Sequence, residues 1–149
     1  MRDGHFIDFT DLKNTVFEDL GKRDFTINAM AWSPDTGIID PFQGHSDLKR
    51  KILKVVRPEN LAKDPLRVLR AYRIAAQLDI RIEEGTRQCL KRYSHGLREV
   101  DHERTTEEII KLITCTKASH YLFLSKEDKV LPEIRSLKSR ILYNNIHLI

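Results

Sequence analysis

The sequence predicts an α+β chain in which a small mixed sheet with helices leads into an all-helical domain. Up to residue 58 short apolar runs are cut apart by turn residues, whereas from Leu61 onward the apolar positions recur at helical spacing. Charge changes along the same line. Residues 1–48 hold 4 Lys or Arg against 9 Asp or Glu, residues 49–98 hold 14 against 5, and residues 99–149 hold 8 against 8. We therefore expect two domains, residues 1–58 and 59–149.

Each element has its own signal. His5 to Thr10 reads as a short strand, and Phe25 to Trp32 as more helical than extended despite Thr26 and Ile27. Ser33, Pro34, Asp35 and Gly37 form a turn, Ile38 and Ile39 a second short strand, and Asp40, Pro41 and Gly44 end it. Ile52 to Val56 is a third strand, stopped by Pro58. Leu66, Leu69, Ile74 and Leu78, with Ala71 and Ala75 between them, mark one face of a helix. Further helices are expected over Glu83–Tyr93, Thr105–Ile113, around His120–Leu124 and around Arg135–Tyr143. Asp64 before Pro65 suits an N-cap followed by proline at the first helical position.

Composition narrows the function classes. A chain of 149 residues, 40% hydrophobic and 32% charged, has enough apolar material for one core or two small layers and should fold in water. No apolar run approaches the roughly 20 residues that span a bilayer, and MRDGHFIDF lacks the features of a signal peptide, so a cytoplasmic location is expected. Cys89 and Cys115 stand far apart without a CxxC pattern and read as free thiols, with no zinc or iron–sulfur signature. Asp101 and His102 read as a surface pair.

Two constellations carry candidate chemistry. In KRDFTINAMAW, Lys22 to Trp32, a cation pair, a carboxylate, a hydroxyl and an amide precede an apolar run; they suit a ligand, or else a solvated pair, a cap and a turn. In AKDPLRVLRAYR, Asp64 and Arg67 are three residues apart and share a direction on the first helical turn. Together they could match the donor and acceptor edge of a nucleobase; the alternative is an internal ion pair worth a few tenths of a kcal/mol. Arg67, Arg70 and Arg73 recur every third residue as a basic stripe, amid Lys and Arg at 49, 50, 51, 54, 57, 81, 87, 91, 92 and 98. The stripe suits RNA or nucleotide phosphates, or is a plain solvated face.

The order KRDFTINAMA, DPFQG, KDPLRVLRAYRIAAQL and HERTTEEI resembles the class II tRNA nucleotidyltransferases, which include CCA-, CC- and A-adding enzymes and bacterial poly(A) polymerases. The resemblance runs from about Phe6 to Ile134 and implies part of the head domain followed by the neck. It implies that Arg23, Asp24 and Asn28 lie near the incoming CTP or ATP, Asp24 accepting from a ribose hydroxyl and Arg23 meeting phosphate. Lys22, also implied to bind the nucleotide, departs from the family's usual Arg, keeping the charge but losing the planar fork, so a weaker or less directional phosphate contact is expected. Asp40 to Gly44 matches the element joining head to neck, implying a hinge there, with a purely structural turn as the competing view. Asp64 and Arg67 are implied to read the base. Lys63 stands where the family usually has Glu, removing an acceptor that would orient Arg67. Glu103, Arg104 and Glu108 match the last neck motif, or form a salt-bridged helix start. On this basis Arg70 and Arg104 join the nucleotide-binding set, and Arg73, Arg87, Lys91 and Arg92 are assigned to RNA.

The resemblance also implies the reaction, transfer of CMP or AMP to the 3′-hydroxyl of tRNA with release of pyrophosphate, assisted by Mg2+. The family's DxD and GGxVRD-like motifs do not occur in this sequence, and Asp8 in HFIDF is the match to its third active-site carboxylate and metal ligand, or an ordinary edge-strand aspartate. A fragment or subunit inactive alone is therefore expected, completed by a second polypeptide or by self-association. A non-catalytic RNA-binding module of the same fold is the alternative. A DNA-binding helical protein is disfavoured because no helix-turn-helix partner is recognisable.

Overall fold

The computed structural model describes residues 15–131. The strand expected at His5–Thr10 and the helix expected at Arg135–Tyr143 lie outside these residues. The description starts with α1 (Val16–Leu20), fixed by a reciprocal cap in which Thr15 Oγ1 accepts from the Glu18 N–H and the Glu18 carboxylate accepts from the Thr15 N–H. The hairpin of β1 (Ala31–Ser33) and β2 (Gly37–Ile39) is antiparallel, turning over residues 34–36 and entering β2 through Gly37 at φ 72°. Its cross-strand pair Trp32 and Ile38 is exposed on both sides.

The segment expected to be helical from Phe25 to Trp32 instead makes one 3-10 turn, Thr26–Asn28, and then enters β1. The reason is tethering. Phe25 forms an antiparallel bridge with Val55, the Thr26 N–H donates to the Lys54 carbonyl, and the Val56 N–H donates to that of Asp24. These bonds hold the start of the segment extended. Two helices, α1 and α2 (Gly44–Lys49), had no clear apolar periodicity to announce them.

The segment Ile52–Val56 contributes β3 (Ile52–Leu53), which pairs in parallel with β4 (Arg81–Ile82). Between them lie α3 (Glu59–Lys63) and the thirteen-residue α4 (Leu66–Leu78). Then come α5 (Glu84–Tyr93), a 3-10 stretch over Ser94–Glu99, α6 (His102–Ile113) and α7 (Ala118–Glu127). Asp101 is more than a surface residue: its carboxylate caps α6 by accepting from the Glu103 N–H at 2.8 Å, so the helix begins before the expected Thr105.

At the centre is α4, whose Leu66, Val68, Leu69, Ala71, Tyr72, Ile74, Ala75 and Ala76 are buried, packed against α6 and α7. Phe25, Ile27 and Leu53 belong to the same apolar cluster, so packing continues across residue 58. No helix among the described residues is long and apolar enough to cross a membrane. Cys89 and Cys115 are free thiols.

Candidate functional site

A cleft of about 620 Å3 opens along the length of α4, lined by Arg23, Asp24, Asn28, Asp64, Arg67, Arg70, Arg73, Ile74, Gln77 and Leu78. The two sequence constellations thus meet in one place. One wall is Arg23 and Asp24 with the 3-10 turn that follows, and the other is α4, whose residues 67, 70, 74 and 77 share a face.

Asp24 is 5% exposed, and its carboxylate has three partners. Oδ1 accepts from the Phe25 N–H at 2.9 Å and from Asn28 Nδ2 at 3.1 Å, while Oδ2 stands 3.1 Å from Arg70 Nη2. Such pairing compensates for burying the charge. The Arg70 Nε is buried without a hydrogen-bond partner, so this guanidinium retains one unused donor beside the cleft. Arg23 points outward and pairs with Asp19 at 2.9 Å; the pair is exposed and easily exchanged for another anion.

Arg67 is held from behind. Its Nη1 donates to the main-chain carbonyls of Lys22, at 2.9 Å, and Asn60, at 3.1 Å. Its Nε is 3.9 Å from the Asp64 carboxylate, which also lies 3.5 Å from Arg104 Nη2 on α6. Asp64 does not serve as the expected side-chain cap. α4 begins at Leu66 with Pro65 at the capping position, and Asp64 contributes only its carbonyl, to the Arg67 N–H at 3.0 Å, because its carboxylate faces the two arginines. Lys63 is exposed, and the orientation of Arg67 comes from two main-chain carbonyls that its charge does not touch.

The arginine stripe is not a bare basic face. Arg73 donates to Glu108 at 2.6 Å and to Gln77 at 2.9 Å, bridging α4 to α6 on the cleft's far side. Lys22 lies outside the cleft lining, although its carbonyl holds Arg67. Arg87 and Lys91 are elsewhere, both clasping the buried Asp128, at 2.7 and 3.0 Å, and Arg92 beside them is exposed.

Asp40 and Gly44 support the site from behind. The Asp40 carboxylate accepts from the N–H groups of Gly44, at 2.7 Å, and His45, at 2.9 Å, starting α2. A Cβ at Gly44 would stand 2.1 Å from the Thr26 carbonyl oxygen, so only glycine lets α2 approach the 3-10 turn this closely. Asp47 of α2 then accepts from the Thr26 hydroxyl at 2.8 Å and pairs with Arg50. Both residues of the expected hinge make fixed contacts.

The residues that escaped sequence reasoning are the supports: Asn60, Asp47, Gln77 and Asp128. Gln77 was reachable, ten residues after Arg67 and seven after Arg70 on one helical face. Asn60 gave no signal. Among the described residues, no group of three or more His, Cys, Asp or Glu is placed to hold a metal ion. Asp24, the acidic residue deepest in the cleft, is engaged by Arg70 and Asn28, so these residues do not fit a metal centre; Asp8 lies outside the described residues.

Residues 3–54 match the model of the poly A polymerase head domain, and residues 79–137 match that of the probable RNA and SrmB-binding site of polymerase A. A Synechocystis CC-adding tRNA nucleotidyltransferase is 39% identical over 127 residues, covering 84% of this chain and 30% of the relative. An Anoxybacillus flavithermus CCA-adding enzyme is 34% identical over 151 residues, covering 95% and 38%. Among solved structures, a Bacillus stearothermophilus CCA-adding enzyme in complex with CTP superposes with a TM-score of 0.78 at 31% identity, covering 84% of this chain and 32% of that one. A Thermotoga maritima CCA-adding enzyme complexed with tRNA gives 0.76 at 32% identity, over 81% and 31%. The chain spans about a third of the length of these relatives.

Proposed function

The chain belongs to the family of CCA-, CC- and A-adding tRNA nucleotidyltransferases and poly(A) polymerases, and from that premise we propose that it supplies nucleotide recognition for transfer of CMP or AMP to an RNA 3′ end. The observation that carries this reading is the convergence of Arg23, Asp24, Asn28, Asp64 and Arg67 on one cleft. Two similar solved structures are complexes of a CCA-adding enzyme with CTP and with ATP.

The roles follow from the chemistry of the lining. Asp64, an acceptor, and Arg67, a donor with its plane fixed, read the edge of cytosine or adenine, and a base presenting the wrong pattern leaves a polar group unpaired. Asp24 and Asn28 meet the ribose hydroxyls. Arg23 exchanges its exposed Asp19 partner for phosphate. Arg70 holds the Asp24 carboxylate in place, and Arg104 steadies Asp64 from α6. Mg2+, which no residue of the cleft is assigned to hold, would supply phosphate neutralisation and activation of the primer hydroxyl in the complete reaction. The substrate RNA is a tRNA and the setting the cytoplasm.

The test is calorimetric titration of CTP, ATP, UTP and GTP, alongside tRNA binding, with the chain and with Arg67→Ala. We expect the chain to prefer CTP or ATP and Arg67→Ala to lose that preference while retaining tRNA. A second reading, RNA binding without nucleotide transfer, is favoured by the match of residues 79–137 to an RNA-binding model. It predicts no nucleotide preference and a uniform loss of RNA affinity in Arg67→Ala.

A further inference from the structure

We infer that Asn60 is a positioning residue for nucleotide selection, acting through Arg67; this rests on the proposed reading of Arg67 as the base-reading side chain. Asn60 lies in α3 and is 1% exposed. Its Nδ2 donates to the carbonyls of Gly21 and Arg23, each at 2.9 Å. The intervening carbonyl, that of Lys22, accepts from Arg67 Nη1 at 2.9 Å, and the same Nη1 donates to the carbonyl of Asn60 itself at 3.1 Å. Three consecutive loop carbonyls are therefore bound in alternation by Asn60, Arg67 and Asn60.

The consequences are geometric. A side-chain amide carries two donors on one nitrogen, and here both are used, which no aspartate, serine or leucine could match at this size. By fixing the carbonyls of Gly21 and Arg23, Asn60 turns the Lys22 carbonyl toward α4. Nη1 then has two neutral acceptors that set the plane of the guanidinium and leave its Nε beside Asp64, facing the cleft. The same loop carries Arg23 and Asp24, so one buried amide sets the spacing between the ribose and phosphate wall and the base-reading wall. Sequence spacing hides this link, since Asn60 is 39 residues from Gly21.

The experiment is a double-mutant cycle on the full chain, titrating CTP, ATP, UTP and GTP by calorimetry into the wild type, Asn60→Ser, Arg67→Ala and the double variant. Asn60→Ser should lower the preference for CTP or ATP over UTP and GTP by about fivefold, and should have no further effect on that preference when Arg67 is already alanine. An equal effect of Asn60→Ser in both backgrounds, or unchanged preference in a folded Asn60→Ser chain, overturns the inference and leaves the nucleotide reading intact. A wild-type chain that shows no nucleotide preference overturns both. A measurement on the unmodified chain covers the case in which Asn60→Ser does not fold: the two Nη groups of Arg67, assigned by Arg67→Lys, should give separate NMR signals because rotation is restrained. A single averaged signal overturns the inference.

Discussion

Arg70 Nη2 stands 3.1 Å from Asp24 Oδ2, and this contact joins α4 to the loop that forms the opposite wall of the cleft. The Asp24 side chain is 6% exposed and that of Arg70 38%, so the pair lies at the edge of solvent. Removing the cation strands a buried carboxylate. For wholly buried pairs that costs about 3–5 kcal/mol, and the exposure of Arg70 reduces the expectation for Arg70→Met to about 2 kcal/mol. Combining Arg70→Met with Asp24→Asn should cost less than the sum of the single changes. Urea unfolding of the four proteins measures this; a stable Arg70→Met chain would show that the contact holds nothing.

Gly44 and Gly37 are irreplaceable to different degrees and for different reasons. At Gly44 an added Cβ meets the Thr26 carbonyl oxygen at 2.1 Å, which is backbone and cannot swing away. Gly44→Ala must push α2 off the 3-10 turn and break the Thr26–Asp47 hydrogen bond, an expected loss of about 3 kcal/mol. Gly37 has φ +72° and open space around it, so Gly37→Ala incurs only the left-handed backbone strain, about 1 kcal/mol. Thermal melts of both variants check the ordering, and a reversed order would contradict the close-approach argument.

Asp128 gives the fold a sensitivity to acid. Burial opposes its ionisation, but hydrogen bonds from Arg87, Lys91 and Tyr72 together outweigh that and hold the carboxyl below the ordinary range. Burial first, then the charge of Asp128, raises the Tyr72 phenol, which keeps its proton and donates at 2.9 Å. A carboxyl whose folded pKa is depressed contributes stability that is complete above the unfolded value of about 3.9 and is lost as pH falls through the folded one. Acid unfolding should therefore show a component below about pH 4 that Asp128→Asn removes. Arg87→Leu, which leaves the carboxylate with Lys91 and Tyr72, should cost about 3 kcal/mol at neutral pH. An acid profile identical in Asp128→Asn and wild type would refute the assignment.

How much of this was legible in sequence depends on whether the cause is local. α4 was visible because Leu66, Leu69, Ala71, Ile74 and Ala75 recur at helical spacing and are buried on that face, although Leu78, expected on it too, is exposed at the helix end. Asp64 and Arg67 were visible as neighbours for the same reason. The segment after Phe25 was misread because its conformation is set by bonds to Lys54, Val55 and Val56, which no window around Phe25 contains. Asp64 failed as a cap because Arg104, forty residues later, competes for its carboxylate. The basic stripe was read correctly as a shared face, yet its charges are matched by Asp24 and Glu108 from other elements. Asn60 and Asp128 act only through distant partners, and their types carry no pattern.

The same network separates two neighbouring basic residues that look alike in the sequence KRYSH and its approach. Arg87 uses its guanidinium on a fully buried Asp128 carboxylate, whereas Arg92 is exposed and faces solvent. A phosphate can be met by Arg92 without breaking anything in the fold. Meeting it with Arg87 would first require uncovering Asp128. Arg92→Ala should therefore weaken tRNA binding uniformly across sequences and reduce the slope of log affinity against log salt by about 1, with no change in melting temperature. Arg87→Leu should lower the melting temperature and, below the transition, leave the salt slope unchanged. Filter-binding or anisotropy titrations at several salt concentrations decide between them; a smaller slope for Arg87→Leu than for Arg92→Ala would place the RNA contact at Asp128's partner instead.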